Sequence, residues 1–384
     1  MTRLAEPRGE IHWSPGYRRD EADVAVWFDH AGAQVTEPEV LERLAGLAIP
    51  PAWREVWAAP TPEFRVQARG IDARGRTQYR YSPAATEEAA RNKFAHMLHY
   101  ASVLPQLREL IQMRLSEPVE APDFRQVTAL AGRFLDLGLF RVGSDRYVKD
   151  NNTYGLTTLR TNHVDVSGDT VTFDYVGKEH LRQHHEIEDP LAARLTARLL
   201  ELNSALCGEG EAPYLFSVPY FADESRAAEA VGPGALGTDS RVVRGRRRVR
   251  AATLNSYIHA ATGAPATAKM ARTWGGTVIA AAVAGGARFE SPKKHRDPSL
   301  VAYDAAAAVL GNTPTMARSS YVHPSALSVG ESDAVRQAVT RAARARGTDD
   351  VRKLFFDPEL QESVRLALQE QLGNKADSKP DSGQ

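Results

Sequence analysis

"YGLTTLRTNHVDVSGDTVTFDYVGKEH", residues 154–180, interrupts a chain whose middle is otherwise patterned for helices. Val164, Val166, Val171, Phe173 and Tyr175 alternate with polar residues around the turn Ser167-Gly168-Asp169. A period of two with β-branched and aromatic residues marks half-buried strands, and Ser-Gly-Asp supplies the reversal. A two- or three-stranded sheet is therefore expected between residues 154 and 178. On its N-terminal side, "TEEAARNKFAHMLHYASVLPQLRELIQMRLS" (86–116) repeats apolar residues at helical spacing after Thr86 as N-cap and an acidic first turn. A helix over 123–138 is entered at Asp123 and stopped near Gly138. Beyond the sheet, helices are expected over 189–207, 252–262, 267–283, 299–310 and 333–346.

Residues 20–85 have a different texture and read as a small mixed domain. A helix over 37–46 has Thr36 as N-cap and Pro38 in its first turn. "IPPAWREVWAA" (49–59) must turn at its two prolines, and "RVQARGIDARGRTQYRYS" (65–82) reads as a β-hairpin turning at "DARG". The fold class expected is thus α+β: a small N-terminal antiparallel β-sheet domain (1–88), then a larger mostly α-helical domain with a small three-stranded sheet (89–350). Residues 351–384 are expected to form a C-terminal helix and a disordered tail. The stretch 208–250 reads as a long mobile loop or insertion, and "GNKADSKPDSGQ" at the end has no means of burying apolar surface.

At 384 residues the chain is long enough for two domains, and 42% apolar with 25% charged residues is ordinary for a soluble globular protein. No apolar run is long enough to span a bilayer, and the first residues lack the apolar core of a signal peptide. The single cysteine, Cys207, excludes an intrachain disulfide and a cysteine-rich zinc site, and suits a reducing cytoplasm. Net charge is zero but segregated. Residues 201–230 hold six acids and one arginine, whereas "RVVRGRRRVR" (241–250) holds six arginines and no acid. "RVQARGIDARGRTQYR" (65–80) carries five arginines against one aspartate. Such runs concentrate positive potential on a neutral protein, or are simply solvated loops.

Phosphate-loop, HExxH and GxSxG motifs are missing, and the pair His184–His185 reads as a polar loop. What remains is a set of single residues: Arg141 in "GLFRVGSDRY", Lys178 in "YVGKEH", Arg272 in "AKMARTWGGT" and Tyr321 in "LGNTPTMARSSYVHP". Taken singly, the arginines read as ion-pair residues and the tyrosine as packing. Together they make a phosphoryl-transfer set. A tyrosine can bond covalently to phosphorus and divide one hard displacement into two. Two guanidiniums can clamp nonbridging oxygens, and a lysine can protonate a departing oxygen without a metal.

These segments, with "IPPAWREVW", "DARGRTQYRY" and "YGLTTLRTNHV", occur in an order that resembles the type IB DNA topoisomerases of the bacterial and poxvirus-like branch, over roughly residues 30–325. The resemblance implies a two-domain clamp on duplex DNA, with a catalytic domain like that of tyrosine recombinases. It implies relaxation of supercoils of either sign through a 3′-phosphotyrosyl intermediate, strand rotation and religation. No cofactor, ATP or metal is implied, the partner is double-stranded DNA with no membrane, and the enzyme would be a cytoplasmic, nucleoid-associated monomer. Tyr321 would be the nucleophile, with Tyr303 the next candidate. Arg141 and Arg272 would contact the scissile phosphate, and Lys178 would protonate the leaving 5′ oxygen. Asn312 stands where the viral branch has histidine, nine residues before the nucleophile; an amide can still donate to a phosphate oxygen, and His323 is the competing donor. Gln78, Tyr79 and Tyr81, with Arg76 and Arg80 beside them, match a strand that the viral enzymes lay in the major groove, and Lys269 shares a helix face with Arg272. "RVVRGRRRVR" has no counterpart, and salt-dependent backbone contact is its expected role. The alternatives are a tyrosine recombinase and a non-catalytic DNA-binding protein of the same fold.

Overall fold

The structure is a computed structural model that describes residues 15–120, 122–205, 212–221, 243–263, 266–293 and 297–377. The fold is α+β, in two compact units, Met1–Phe94 and Ala95–Gln384. Among the described residues no helix is long and apolar enough to cross a membrane.

The first unit is built on a five-stranded antiparallel sheet of order β2-β1-β3-β4-β5, from β1 (Tyr17–Arg19), β2 (Trp27–Phe28), β3 (Arg54–Ala58), β4 (Val66–Ile71) and β5 (Thr77–Tyr81). One face packs Trp27, Val56 and Ala58 against Leu44 of the helix Pro38–Gly46. The double-proline turn is locked from outside: the Arg19 guanidinium donates to the carbonyls of Pro50, Pro51 and Trp53, the last at 2.6 Å. β4 and β5 form the expected hairpin, with Arg69 opposite Tyr79 and Ile71 opposite Thr77. Its turn is held by the Asp72 carboxylate, which accepts from the backbone of Arg74 and Arg76 at 2.9 Å, and by Gly75 at φ +71°.

In the second unit, β6 (Val164–Ser167), β7 (Thr170–Val176) and β8 (Arg182–Glu188) make the small antiparallel sheet, in that order. Val171, Phe173 and Tyr175 of β7 all face inward, as the alternation requires. Phe173 meets Phe134, on the helix Phe124–Gly138, edge-on at 4.8 Å. That helix begins at Asp123, whose carboxylate accepts from the Gln126 amide at 2.7 Å, and ends with Leu139 at φ 49°. The alanine-rich helices Ala268–Ala284 and Pro298–Leu310 pack closely on each other.

Several expectations are corrected. The sheet begins at Val164, because 154–163 is occupied by two tight turns, Leu156–Thr158 and Thr161–His163. There the Thr158 hydroxyl accepts from the Gly155 amide and competes with strand pairing. The long helix starts at Pro83, with Ser82 rather than Thr86 before its first turn: the Ser82 hydroxyl accepts from the Ala85 amide at 3.2 Å. Glu37, not Thr36, precedes the first helix. Within 208–250, Ser217–Phe221 and Val243–Arg248 are paired antiparallel strands, anchored by buried Leu215, Phe216, Val218 and Val249. Residues 208–211 and 222–242 of that stretch lie outside the described residues. The C-terminal helix Pro358–Asp377 takes in the start of "GNKADSKPDSGQ", with Leu360, Val364 and Leu368 seated in the core; residues 378–384 lie outside the described set.

Candidate active site

Arg141 follows the left-handed end of helix Phe124–Gly138 in an extended loop braced by the segment first taken for a strand. The Leu156 and Thr157 amides donate to the carbonyls of Arg141 and Val142, both at 2.8 Å. The approach is so close that a Cβ on Gly155 would lie 2.6 Å from the Arg141 carbonyl oxygen. Arg272 lies in the second turn of helix Ala268–Ala284 and is only 4% exposed. Its guanidinium donates to the carbonyls of Leu139 and, at 2.8 Å, Leu310. These are the C-terminal carbonyls of two helices, groups that lack intrahelical partners and carry partial negative charge. Arg141 donates to the next carbonyl, Gly311, at 2.7 Å and to the Asn312 side-chain oxygen. Both arginines thus grip the turn 310–312.

From that turn the short helix Pro314–Ser320 starts at Thr313, whose hydroxyl accepts from the Met316 amide at 3.3 Å, and delivers Tyr321 at its end. Gly276 packs where helix Pro298–Leu310 and the Tyr321 turn meet: a Cβ there would lie 3.0 Å from the Leu310 Cδ1 and 3.4 Å from the Tyr321 Cβ. The Arg272 guanidinium carbon stands 5.1 Å from the Tyr321 ring centre. Burial pushes the Tyr321 phenol up, but Arg272, Arg141 and Lys269 more than reverse this and hold it below the ordinary tyrosine value. Burial also pulls the Arg272 guanidinium down to about 10, with the nearby phenol opposing the shift. Two buried donors, Nε of Arg272 and Nδ2 of Asn312, have no hydrogen-bond partner among the described residues. Buried N–H groups are rarely left so, and both belong to one small positive site.

Lys178 is not part of this cluster. It sits at the tip between β7 and β8, its side chain 60% exposed, with Glu179 at 3.6 Å. Tyr303 is buried, with the Arg318 guanidinium 5.4 Å from its ring centre. His323 is buried in the turn after Tyr321, where its Nδ1 accepts from the Ser325 amide at 3.0 Å.

The sequence matches the model of the eukaryotic DNA topoisomerase I catalytic core over residues 82–341, more than half the chain. It also matches the N-terminal domain of bacterial DNA topoisomerase IB over residues 26–72. The chain belongs to the type IB DNA topoisomerases. It is 26% identical over 318 residues to the DNA topoisomerase 1B of Acanthamoeba polyphaga mimivirus, covering 82% of this chain and 87% of the viral protein. Against the vaccinia virus (strain Copenhagen) DNA topoisomerase 1B it is 26% identical over 133 residues, covering 35% of this chain and 41% of that protein. The chain is accordingly an enzyme, an isomerase whose substrate is DNA.

In this topoisomerase four of the five candidate DNA contacts of the first unit lie on β5 and divide between its two faces, and Arg76 precedes the strand. Tyr79 and Tyr81 are exposed on one side, their ring centres 6.1 Å apart. On the other, the Gln78 amide donates to Asp72 at 2.9 Å, and Arg80 donates to the Ala48 carbonyl beside the Trp53 ring. Arg76 is paired with Asp72 at 2.7 Å. The described part of the arginine run includes the strand Val243–Arg248 and is not a loop. Arg248 binds both oxygens of Asp145 at 2.6 Å and covers one face of Tyr214, with Arg160 also stacked on that ring. Arg247 is exposed, its guanidinium 4.0 Å from the Phe124 ring centre.

Sequence reasoning missed two neighbours of the site. His185, read as part of a polar loop, lies against Phe140 with ring centres 4.2 Å apart, and burial, with Arg272 nearby, lowers its imidazole to about 4. It is therefore neutral at physiological pH. The alternation of β8 carried that signal, since His185 pairs with inward-facing Phe173. Gln183 had no signal of its own, because its neighbours are two glycines distant in sequence from each other.

Proposed function

We propose that the enzyme relaxes supercoiled duplex DNA with Tyr321 as nucleophile, Arg141, Arg272 and Asn312 as the phosphate clamp, and Lys178 as general acid. The observation that carries this reading is the half-buried, acidified phenol beside two guanidiniums, with two buried donors still unpaired. A phosphate oxygen is the acceptor best suited to such donors. In cleavage, the Tyr321 oxygen bonds to phosphorus and its proton passes to solvent. The bond from phosphorus to the 5′ oxygen breaks, and that oxygen takes a proton from the Lys178 ammonium. Arg141 and Arg272 stabilise the charge on the nonbridging oxygens as it redistributes. Religation reverses each step: the 5′ hydroxyl attacks, gives its proton to the Lys178 amine, and Tyr321 departs and recovers a proton from solvent.

One phosphodiester replaces another, so the reaction consumes no nucleotide, and the positive charge that a metal would supply comes from the guanidiniums. The enzyme would act as a cytoplasmic, nucleoid-associated monomer, with the exposed face of β5 and Lys269 contacting the duplex. Incubating the purified protein with supercoiled plasmid in EDTA without ATP should give a ladder of relaxed topoisomers. Plasmid that stays supercoiled at high enzyme would sink the proposal.

The roles of Asn312 and His323 separate in single-turnover cleavage. Asn312→Ala removes one neutral donor, and such a donor is worth about 10²–10³ in rate when fully preorganised. A smaller loss is expected, because the guanidiniums already carry most of the stabilisation. His323→Ala should slow cleavage much less, since its ring nitrogen is engaged with Ser325. The reverse order would make His323 the phosphate donor.

A further inference from the structure

Gln183 lies on β8 opposite Tyr175, near the neck of the hairpin whose tip carries Lys178. Its side chain runs between two glycines. A Cβ on Gly177 would come within 2.7 Å of the Gln183 Cγ. A Cβ on Gly311 would collide with the Gln183 Oε1 and lie 3.3 Å from its Cδ. The stem therefore crosses Gly177 and the amide ends against Gly311. Those glycines immediately precede Lys178 and Asn312.

Gly311 has a backbone reason to be glycine, with φ +59° at the end of its helix. Gly177 has none: its φ of −94° suits any residue, and what excludes a side chain there is Gln183. Hydrogen bonding does not explain the pose either. Among the described residues the Gln183 amide reaches only the carbonyls of Leu181 and Arg182, both at 3.4 Å, beyond the usual range for a good N–H···O bond. What fixes the amide is its seat on Gly311.

We propose that Gln183 is a positioning residue, a strut that sets the Lys178 hairpin at a fixed distance from the turn holding Asn312 and the two arginines. The inference rests on Lys178 being the general acid. The clamp is held by its own hydrogen bonds to carbonyls, whereas among the described residues the Lys178 side chain is paired only with a solvent-exposed glutamate. Removing the strut therefore loosens the acid and leaves the phosphate site intact. Misplacing a reacting group by about 1 Å can lower a rate roughly 10²-fold.

The test is single-turnover cleavage of two duplexes, one with the ordinary bridging 5′ oxygen and one with sulfur there, which leaves without needing a proton. Gln183→Ala should slow the oxygen substrate by roughly 10- to 100-fold and cleave the sulfur substrate near the wild-type rate. Gly177→Ala should slow the oxygen substrate in the Gln183 protein and add little in the Gln183→Ala background, because the Cβ then has nothing to displace. Equal slowing on both substrates, or a Gly177→Ala effect of the same size in both backgrounds, overturns the strut. A misfolded variant would fall in the first class. Lys178→Ala run alongside separates the two levels. If sulfur does not rescue it, the assignment of the acid fails and the strut with it; if sulfur rescues it but not Gln183→Ala, only the strut fails.

Discussion

Tyr321→Phe is expected to abolish covalent capture of DNA while leaving the fold and DNA affinity nearly unchanged. The substitution removes one oxygen. The ring keeps its place beside Arg272, and the backbone carbonyl still accepts from the Thr277 hydroxyl at 3.3 Å. Tyr175, the other phenol near both arginines, is pushed up by burial where Tyr321 is held down, so the loss should be complete rather than partial. On a suicide duplex whose 5′ fragment diffuses away after cleavage, the wild type should become linked to the labelled 3′ end. The phenylalanine variant should stay unlabelled at any enzyme concentration, and should bind intact duplex with the wild-type affinity. A labelled variant would move the nucleophile to another tyrosine, with Tyr303 first to be mapped.

Lys178→Ala should slow cleavage by about two to four orders of magnitude, the usual contribution of a general acid to the departure of an alkoxide. Sulfur at the bridging 5′ position is a far better leaving group and should restore most of the variant's rate. Arg141→Ala should gain no such rescue, because the charge on the nonbridging oxygens is the same whichever atom departs. Binding should barely change in the lysine variant, whose exposed side chain holds nothing together. If sulfur rescues Arg141→Ala and leaves Lys178→Ala slow, the two roles are exchanged.

Local chemistry made much of the fold legible. Asp123 capping its helix, the turn at Asp72–Gly75 and the alternation through Val171, Phe173 and Tyr175 are decided by neighbours in sequence, and the structure contains all three. Two helix starts, after Glu37 and Ser82, were misplaced by local choices, and the larger errors fell where distant partners decide. "YGLTTLR" has strand-like residues, but its backbone is committed to bracing the Arg141 loop. The arginine run reads as free charge until Asp145 and Tyr214, distant in sequence, come up against Arg248. In the site, Arg141, Arg272, Asn312 and Tyr321 were nameable from motifs and do converge. That the arginines would be spent partly on helix-end carbonyls was not visible, because a carbonyl leaves no trace in composition. Lys178 was nameable too, but the side chain that sets its distance was not.

The double duty proposed for Arg272, structural and catalytic, bears on how such an enzyme could decay by descent. Its guanidinium ties together the ends of two helices, so a lineage that drifts away from catalysis cannot discard it without loosening the scaffold. Tyr321 and Lys178 carry no comparable obligation: one loses a single oxygen, the other an exposed ammonium. A descendant that kept the architecture as a mere DNA-coating protein would therefore shed its tyrosine and lysine first. It would carry the buried arginine onward as a fossil of chemistry it no longer performs.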